Sequence, residues 1–181
     1  MSSAPSEMLL AALEYLRLGW HPIPLCWPGE HCRCACYKGH TDPKDVGKAP
    51  LLGSGYERLT VTEALARRWW GERWPEANVG ILLAPSGLVV IDLDGQAAIE
   101  EATACGLPAR GPVARSGRTD GGEGRHLYCR RPEGCPVTRA SHRGSCRRIE
   151  VLSAGYAVAP PSRHRSGRRY ERLVSPWRDE E

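Results

Sequence analysis

The chain has 181 residues, a formal net charge of +4, a hydrophobic content of 41% and a charged content of 25%. These values are typical of an ordinary soluble globular protein with one domain and room for a small insertion. No apolar run reaches the roughly 18 residues of a membrane helix, and the N-terminus lacks the basic start of a signal peptide. We therefore expect a cytoplasmic protein without a membrane segment.

The predicted elements mix helices with short strands. A helix is predicted over residues 6–18 and a second over 59–74, with Thr60 and Glu63 in a capping-box pattern. The segments 78–84 and 87–94 flank a Pro-Ser-Gly turn and predict a β-hairpin. A third helix is predicted over 95–106, and the other strands over 20–26, 111–117, 125–130, 147–152, 155–161 and near 170–173. This pattern predicts an α+β domain built on a largely antiparallel sheet.

Two aspartates follow the apolar run of the strand at 87–94. Alternate residues of a strand share a face, so Asp92 and Asp94 project side by side and repel each other unless a partner is present. Glu150, in another predicted strand, is a candidate third carboxylate. Three such groups predict one or two Mg²⁺ or Mn²⁺ ions. The alternative is an exposed strand end, with Asp94 capping the next helix.

Basic and glycine-rich segments follow in the second half of the chain. The arginines cluster after residue 110, which favours a phosphate-bearing partner, although a GC-rich genome would give the same bias. A glycine-rich loop at 119–124 lets the backbone approach phosphates closely. The predicted nucleotide-binding residues in and around these segments are Ser116, Arg125, His126, Ser162 and His164.

Cysteine and histidine residues cluster between residues 26 and 40. Cytosolic cysteines in such a cluster favour a closed tetrahedral zinc site over disulfides. The candidate ligands are Cys26, His31, Cys32, Cys34, Cys36 and His40, and we favour Cys26, Cys34, Cys36 and His40, with Cys32 as the substitute. The site would either help to position template or initiating nucleotide, or serve only as a structural staple.

The order of these motifs resembles the N-terminal domain of the bifunctional DNA primase/polymerase family, in the archaeo-eukaryotic primase superfamily. The similarity covers about residues 8–172 and runs through "GWHPIPL", "GKAPL", "NVGILL", "GLVVIDLDG", "SGRTDGGEGRHLY" and "RIEVLSAGYAVAPPSRHRSGRRY". It implies catalytic roles for Asp92, Asp94 and Glu150, and contact between His126 and the phosphates of the incoming nucleotide. Ser162 and His164 would also lie near the nucleotide.

The resemblance implies a fold with an RRM-like catalytic half, a smaller α/β half and the site between them. It assigns residues 1–175 to the catalytic domain, with a zinc-binding insertion at about 26–48, and leaves 176–181 as a tail or an artificial chain end. The implied activity is template-directed nucleotidyl transfer from NTP or dNTP on single-stranded DNA, with two Mg²⁺ or Mn²⁺ ions and a structural Zn²⁺. A helicase domain or protein is a candidate partner, and plasmid or phage replication the implied setting.

Two other functions fit the same residues. A metal-dependent nuclease would also use three carboxylates, and it would degrade DNA without nucleotides. A non-catalytic, zinc-containing nucleic-acid-binding module would bind DNA without using Asp92 and Asp94. The sequence leaves open whether strands are started or only extended, and which sugar and template motif are preferred.

Overall fold

The structure is a computed structural model that describes residues 4–29, 33–40, 42–107, 111–119, 122–137, 139–141 and 148–174. The helices are α1 (Glu7–Arg17), α2 (Glu63–Ala66), which continues as a π-helix over Arg67–Arg73, and α3 (Gln96–Ala104), with a 3₁₀ turn at Tyr56–Arg58. The strands are β1 (His21–Leu25), β2 (Asn78–Leu82), β3 (Leu88–Leu93), β4 (Val113–Arg115), β5 (Arg125–Arg130), β6 (Arg139–Ser141), β7 (Ile149–Leu152), β8 (Tyr156–Ala159) and β9 (Glu171–Val174).

Two antiparallel sheets organise these elements. The smaller has the strand order β1-β2-β8, and the larger has the order β6-β7-β3-β5-β4-β9. Because β7 belongs to the larger sheet and β8 to the smaller one, the chain crosses between the sheets within the turn at 153–155. The two sheets are therefore joined by short connections at 83–87 and 153–155.

Helix α1 packs one side of its surface into the main core. Ser6 caps it by accepting a hydrogen bond from the Leu9 amide at 3.2 Å, as N-cap serines do. Its buried residues include Met8, Ala12 and Tyr15, which fall on one face at helical spacing. Gly19, at φ 75°, follows the end of the helix, in a conformation that glycine adopts without strain.

The larger sheet buries both of its faces, but against different partners. On one face, Val90 and Tyr128 belong to the same core as α1 and the smaller sheet. On the other face, Leu93 and Leu127 pack with Ile99 of α3. This alternation follows from the period of two along a strand, and it places Asp92 on the same face as Val90, towards the smaller sheet.

The tryptophans of the second helix belong to the core. Trp69, Trp70 and Trp74 are all buried, and the Trp70 indole N–H donates to the Ala77 carbonyl at 2.9 Å. Burial on this scale leaves no indole face of these three residues for stacking on a nucleic-acid base.

Two local predictions are wrong. The segments 78–84 and 87–94 are not a hairpin, because β2 and β3 lie in different sheets. A tight turn closed by the Leu88 N–H donating to the Leu83 carbonyl, at 2.9 Å, turns the chain from one sheet to the other. The α2 cap is Thr62, whose hydroxyl accepts from the Leu65 amide at 3.3 Å, and not Thr60.

Within the described ranges, none of the helices combines the length and the apolar character needed to cross a membrane.

Candidate active site

A row of three polar residues crosses the larger sheet. Asp92 on β3 pairs in register with His126 of β5 on one side and with Glu150 of β7 on the other. Directly paired residues of adjacent strands project from the same face. The next row along the same face contains Val90 and Tyr128, which are buried in the main core. The polar row therefore lies where the apolar face of the sheet ends.

A cavity of about 210 Å³ opens over this row. It is lined by Asp92, Asp94, Ser116, Tyr170, Pro43 and the basic residues Lys44, Lys48, Arg118, His126, His164 and Arg165. Asp92 and Asp94 thus share one cavity, as their spacing in the strand predicts. Glu150 does not line this cavity, although its backbone is paired directly with that of Asp92.

The Asp92 carboxyl is largely removed from solvent and has both acidic and basic neighbours. Burial raises its pKa, and the charges of Asp94 and Glu150 raise the pKa further, while His126 and Lys48 oppose this rise. An ionised carboxylate is disfavoured by desolvation and by like charges nearby. A hard divalent cation would remove both penalties, because carboxylate oxygens are its preferred ligands.

Asp94 does not cap the helix that follows it. The N-cap of α3 is Gly95, and no side chain makes a capping hydrogen bond there. Instead, Asp94 forms an ion pair with Arg118, with 2.6 Å between its Oδ1 and the guanidinium Nη1. The alternative in which Asp94 caps the helix is therefore excluded. The pair links the end of β3 to the basic segment that precedes the glycine-rich loop.

The two ring nitrogens of His126 have different surroundings. Nδ1 lies 3.1 Å from the Val158 carbonyl oxygen, which can only accept, so Nδ1 carries a proton. The Tyr128 hydroxyl donates to the same carbonyl at 3.1 Å. Nε2 lies 3.5 Å from Asp92 Oδ1, and the ring packs against that of Tyr170 with 5.6 Å between centroids. Nε2 is therefore the nitrogen that faces the carboxylates of the site.

Two glycines allow the loops of the cavity to pack closely. A Cβ on Gly124 would lie 2.5 Å from Ser116 Oγ, and one on Gly117 would lie 2.3 Å from His164 Cβ. Both distances are shorter than real carbon contacts, so only glycine fits without displacement. Gly124 also accepts the Ser116 N–H at 2.8 Å. Glycine two positions before His126 thus leaves room for the Ser116 hydroxyl.

The predicted nucleotide-binding residues divide into two groups. Ser116, His126 and His164 line the cavity. Ser162 is fully buried, and its hydroxyl accepts from the Val79 N–H at 2.8 Å and donates to the Val79 carbonyl at 3.1 Å. Arg125 adjoins His126 in β5, so it points to the opposite face, and it pairs with Glu123 at 2.8 Å. The structure does not bring Ser162 or Arg125 to the cavity.

Four cationic residues of the cavity were not among the predicted site residues: Lys44, Lys48, Arg118 and Arg165. Lys48 belongs to the "GKAPL" segment, which carried part of the family resemblance without a role for the lysine. Arg118 lies in the arginine cluster, where nothing in the spacing distinguishes it from its neighbours. The only available signal was the sequence position of these residues within recognised segments.

Asn78 holds two of the loops that form the cavity. Its buried amide nitrogen donates to the carbonyls of Gly47 at 2.9 Å and Arg163 at 2.7 Å. Its Oδ1 accepts from the Arg163 N–H at 2.8 Å. All donors of this buried amide are satisfied, as buried polar groups require. The residues that follow these anchors, Lys48 and His164, are thereby held at the cavity from one position of β2.

The Cys/His segment forms a second cluster. The ligand atoms of Cys26, Cys34 and His40 all lie within 4.8 Å of one another. Cys36 Sγ lies 2.9 Å from Cys34 Sγ and 3.4 Å from His40 Nδ1. Burial, together with the neighbouring Cys34, raises the pKa of Cys26 to about 12. Two thiols and an imidazole in this arrangement could bind zinc.

In the part of the chain that the structure describes, this is the only group of three His, Cys, Asp or Glu residues gathered so closely. The oxygens of Asp92, Asp94 and Glu150 are spread more widely. The candidates Cys32 and His31 lie outside the described residues, so the choice among alternative ligands rests on the other four.

The comparison with protein families decides what this fold is. The family model for the N-terminal domain of the bifunctional DNA primase/polymerase matches residues 12–180. The chain belongs to this family. The predicted membership is confirmed, as is the α+β, archaeo-eukaryotic primase-like fold with its antiparallel sheets. Membership implies a nucleotidyltransferase of the primase/polymerase type, with DNA and nucleotides as substrates. A search of curated proteins found no match.

Proposed function

We propose that this primase/polymerase domain catalyses template-directed nucleotidyl transfer at Asp92, Asp94 and Glu150. The observation that carries the proposal is the register across three strands, in which Asp92 is paired with Glu150 on one side and with His126 on the other. The reaction would join a 3′ oxygen to the α-phosphorus of a nucleoside triphosphate and break its bond to pyrophosphate.

The three carboxylates fit a pair of Mg²⁺ or Mn²⁺ ions. The donors are hard oxygens, and the pKa of Asp92 is raised first by burial and then by the charges of Asp94 and Glu150, two penalties that a bound cation would offset. When bound at such carboxylates, these ions supply activation of the attacking hydroxyl and stabilisation of the leaving phosphate. The Arg118 guanidinium lies 2.6 Å from Asp94 Oδ1 and partly neutralises its charge. The carboxylates of this site therefore already stabilise one cationic group.

His126 is proposed to contact the triphosphate through Nε2. The Val158 carbonyl occupies Nδ1 at 3.1 Å, which fixes the ring orientation and leaves Nε2 facing the site. When Nε2 is protonated, it donates to a phosphate oxygen, and such charge-assisted bonds are strong. His164 lines the same cavity and is proposed to contact the same phosphates.

The template strand is proposed to lie in a groove beside the catalytic cavity. This groove, of about 480 Å³, shares Ser116 and Arg118 with the cavity. It is also lined by Arg115, Arg168 and Arg169. Four arginines face two glutamates, Glu123 and Glu171, so the lining has an excess of positive charge. Arginine suits a strand of phosphates because its guanidinium contacts their oxygens in a fork.

The Cys/His cluster is proposed to hold one Zn²⁺ through Cys26, Cys34, Cys36 and His40. Their chemistry fits this ion, since soft thiolates and an imidazole are its usual structural ligands. The support is the 4.8 Å grouping of Cys26, Cys34 and His40, with Cys36 beside two of them.

The test is incorporation of labelled nucleotides on single-stranded DNA, with and without a primer, in Mg²⁺ and in Mn²⁺. We expect wild type to make product and Asp92→Asn/Asp94→Asn to lose roughly 100-fold or more of its activity, since the carboxylates supply several kcal/mol of transition-state stabilisation. The exposed Glu72 provides the control Glu72→Gln, which should retain full activity.

Two results would contradict the proposal. DNA degradation that needs no nucleotide would indicate a nuclease. If wild type and the double variant bind DNA equally and neither makes product, the binding-module function would replace the enzyme. Product without a primer would add primase activity to polymerase activity.

A further inference from the structure

The Cys/His cluster and the catalytic cavity are connected by one short segment, residues 42–50. Pro43, Lys44 and Lys48 of this segment line the cavity. Between them, the Gly47 N–H donates to Cys26 Sγ at 3.2 Å, and the Asp45 carbonyl lies 2.9 Å from the same sulfur. The atom that would bind the metal is therefore in direct contact with the backbone that carries the lysines.

The same segment is fixed at several other points. The Cys26 N–H donates to the Ala49 carbonyl at 2.7 Å, next to Lys48. Asn78 holds the Gly47 carbonyl at 2.9 Å. Gly47 has φ 79°, and a Cβ there would lie 3.1 Å from the Arg163 carbonyl. The backbone at 45–49 is thus clamped between Cys26 on one side and Asn78 and Arg163 on the other.

Lys48 acts on the catalytic carboxylates. Its charge is among those that oppose the raised pKa of Asp92, so its ammonium group lies within electrostatic range of the reacting centre. A lysine at this position is a mobile point charge that binds phosphate well. Its usefulness depends on where its backbone is held, since its side chain is long and flexible.

We infer that Cys26 is a positioning residue for Lys48: metal bound at the Cys/His cluster holds residues 45–49 through the Gly47 N–H···S contact, and so sets the affinity of the catalytic cavity for nucleoside triphosphate. This rests on the proposed function, because Lys48 is taken to contact the triphosphate. Backbone N–H groups around a metal-bound sulfur belong to the shell that orients such sites. The cluster would then have a role in substrate binding and not only in stability.

The experiment measures the affinity of wild type for a non-hydrolysable deoxynucleoside triphosphate in excess Mg²⁺ by calorimetry. It compares protein loaded with Zn²⁺, protein stripped with 1,10-phenanthroline, and stripped protein reloaded with Zn²⁺. We expect stripping to weaken binding about tenfold, the effect of one charge-assisted contact, and reloading to restore it. Circular dichroism verifies that the stripped protein remains folded.

Variants identify the route of the effect. Lys48→Ala should weaken binding about tenfold in the loaded protein, and stripping should then add little, because the affected contact is already missing. Lys38→Ala removes the same charge from a residue that precedes the segment; Lys38 donates to the Pro50 carbonyl at 3.1 Å and does not line the cavity. It should bind like wild type and keep the full response to stripping. Cys34→Ser tests the metal without changing the atom that contacts Gly47, and it should reproduce the stripped state.

Three outcomes would overturn the inference. The first is equal affinity of loaded and stripped protein while both remain folded. The second is an additive result, in which stripping weakens Lys48→Ala by the same factor as wild type. If stripping unfolds the protein, Cys34→Ser serves in its place, and a folded Cys34→Ser with normal affinity is the third. Loaded wild type that binds no nucleotide at all would instead reject the proposed function on which the inference rests.

Discussion

His126 shows how one residue can serve both the fold and the site. Its Nδ1 contacts the Val158 carbonyl, at the edge of the smaller sheet, while Nε2 faces Asp92 on the larger sheet. The histidine was recognisable from the family resemblance and from its place at the start of a predicted strand. Its orientation was not, because the partner carbonyl lies 32 residues away in the chain and belongs to another sheet.

Replacing His126 with asparagine should separate these two roles. An asparagine amide can reproduce the Nδ1–H donor but has no group at Nε2. We expect the free energy of unfolding of His126→Asn to stay within about 1 kcal/mol of the wild-type value. Its KM for nucleotide should rise at least tenfold. Steady-state kinetics and denaturant unfolding measure both effects.

Tyr128→Phe is the matched control, because it removes the other hydrogen bond to Val158. It should cost about 1 kcal/mol of stability and leave KM unchanged. If both variants raise KM equally, the histidine acts only through the packing of the Val158 carbonyl.

Individual strands could be predicted from the sequence, but their pairing could not. The strand at Arg125–Arg130 has the predicted bounds, and β3 contains the apolar run that precedes Asp92. Alternation and β-branched residues are local signals, so they identify a strand without its neighbour. The Pro-Ser-Gly turn signalled a reversal of the chain, yet β2 and β3 joined different sheets because each found its partners elsewhere.

The cavity loops depend on contacts that no local pattern reveals. Lys48 reaches the cavity because Asn78 and Cys26 hold Gly47 from two sides. The aspartate pair, in contrast, needed only the period of a strand. Asp92 and His126, on strands, could therefore be identified from local patterns, while Lys48 and Arg118, on loops, required the tertiary structure.

Gly117 tests the packing between two of these loops. A Cβ there would lie 2.3 Å from His164 Cβ and 3.2 Å from the Arg168 carbonyl, and neither group can move by a simple side-chain rotation. We expect Gly117→Ala to cost about 1–3 kcal/mol, as overpacking does. It should also raise KM for nucleotide, since His164 lines the cavity. Denaturant unfolding and kinetics would show both changes.

Gly53→Ala provides the control, because a Cβ at Gly53 has no atom within 4 Å. Its stability should stay within about 0.5 kcal/mol of wild type. A Gly117→Ala protein as stable and active as Gly53→Ala would mean that the His164 loop adjusts freely and that its position in the cavity is not fixed by this contact.

At the scale of the whole molecule, the site lies where the two sheets meet. Ion pairs from β9 and the loop before it also reach α1, with Arg172 to Glu14 at 2.7 Å and Arg169 to Glu7 at 2.6 Å. Such exposed pairs contribute little energy. The buried contacts of Asn78 and His126 are therefore the stronger links between the sheets and the loops of the site. This arrangement in two parts was expected from the family resemblance, since hydrophobic pattern alone did not distinguish one sheet from two.

The proposed path of the template can be tested through the salt dependence of DNA binding. Each phosphate neutralised on a single strand adds about 0.7 to the slope of log affinity against log salt. Arg115→Gln/Arg168→Gln, in the arginine-lined groove, should therefore lower the slope for an oligonucleotide by about 1.4. Arg67, paired with Glu63 on the second helix, lies outside the groove, and Arg67→Gln should leave the slope unchanged. Fluorescence anisotropy at several salt concentrations provides the slopes. If the groove variant and Arg67→Gln give equal slopes, the template binds to another surface. If only the groove variant has a lower slope, the template binds beside Asp94 and Arg118, where the growing end must meet the nucleotide.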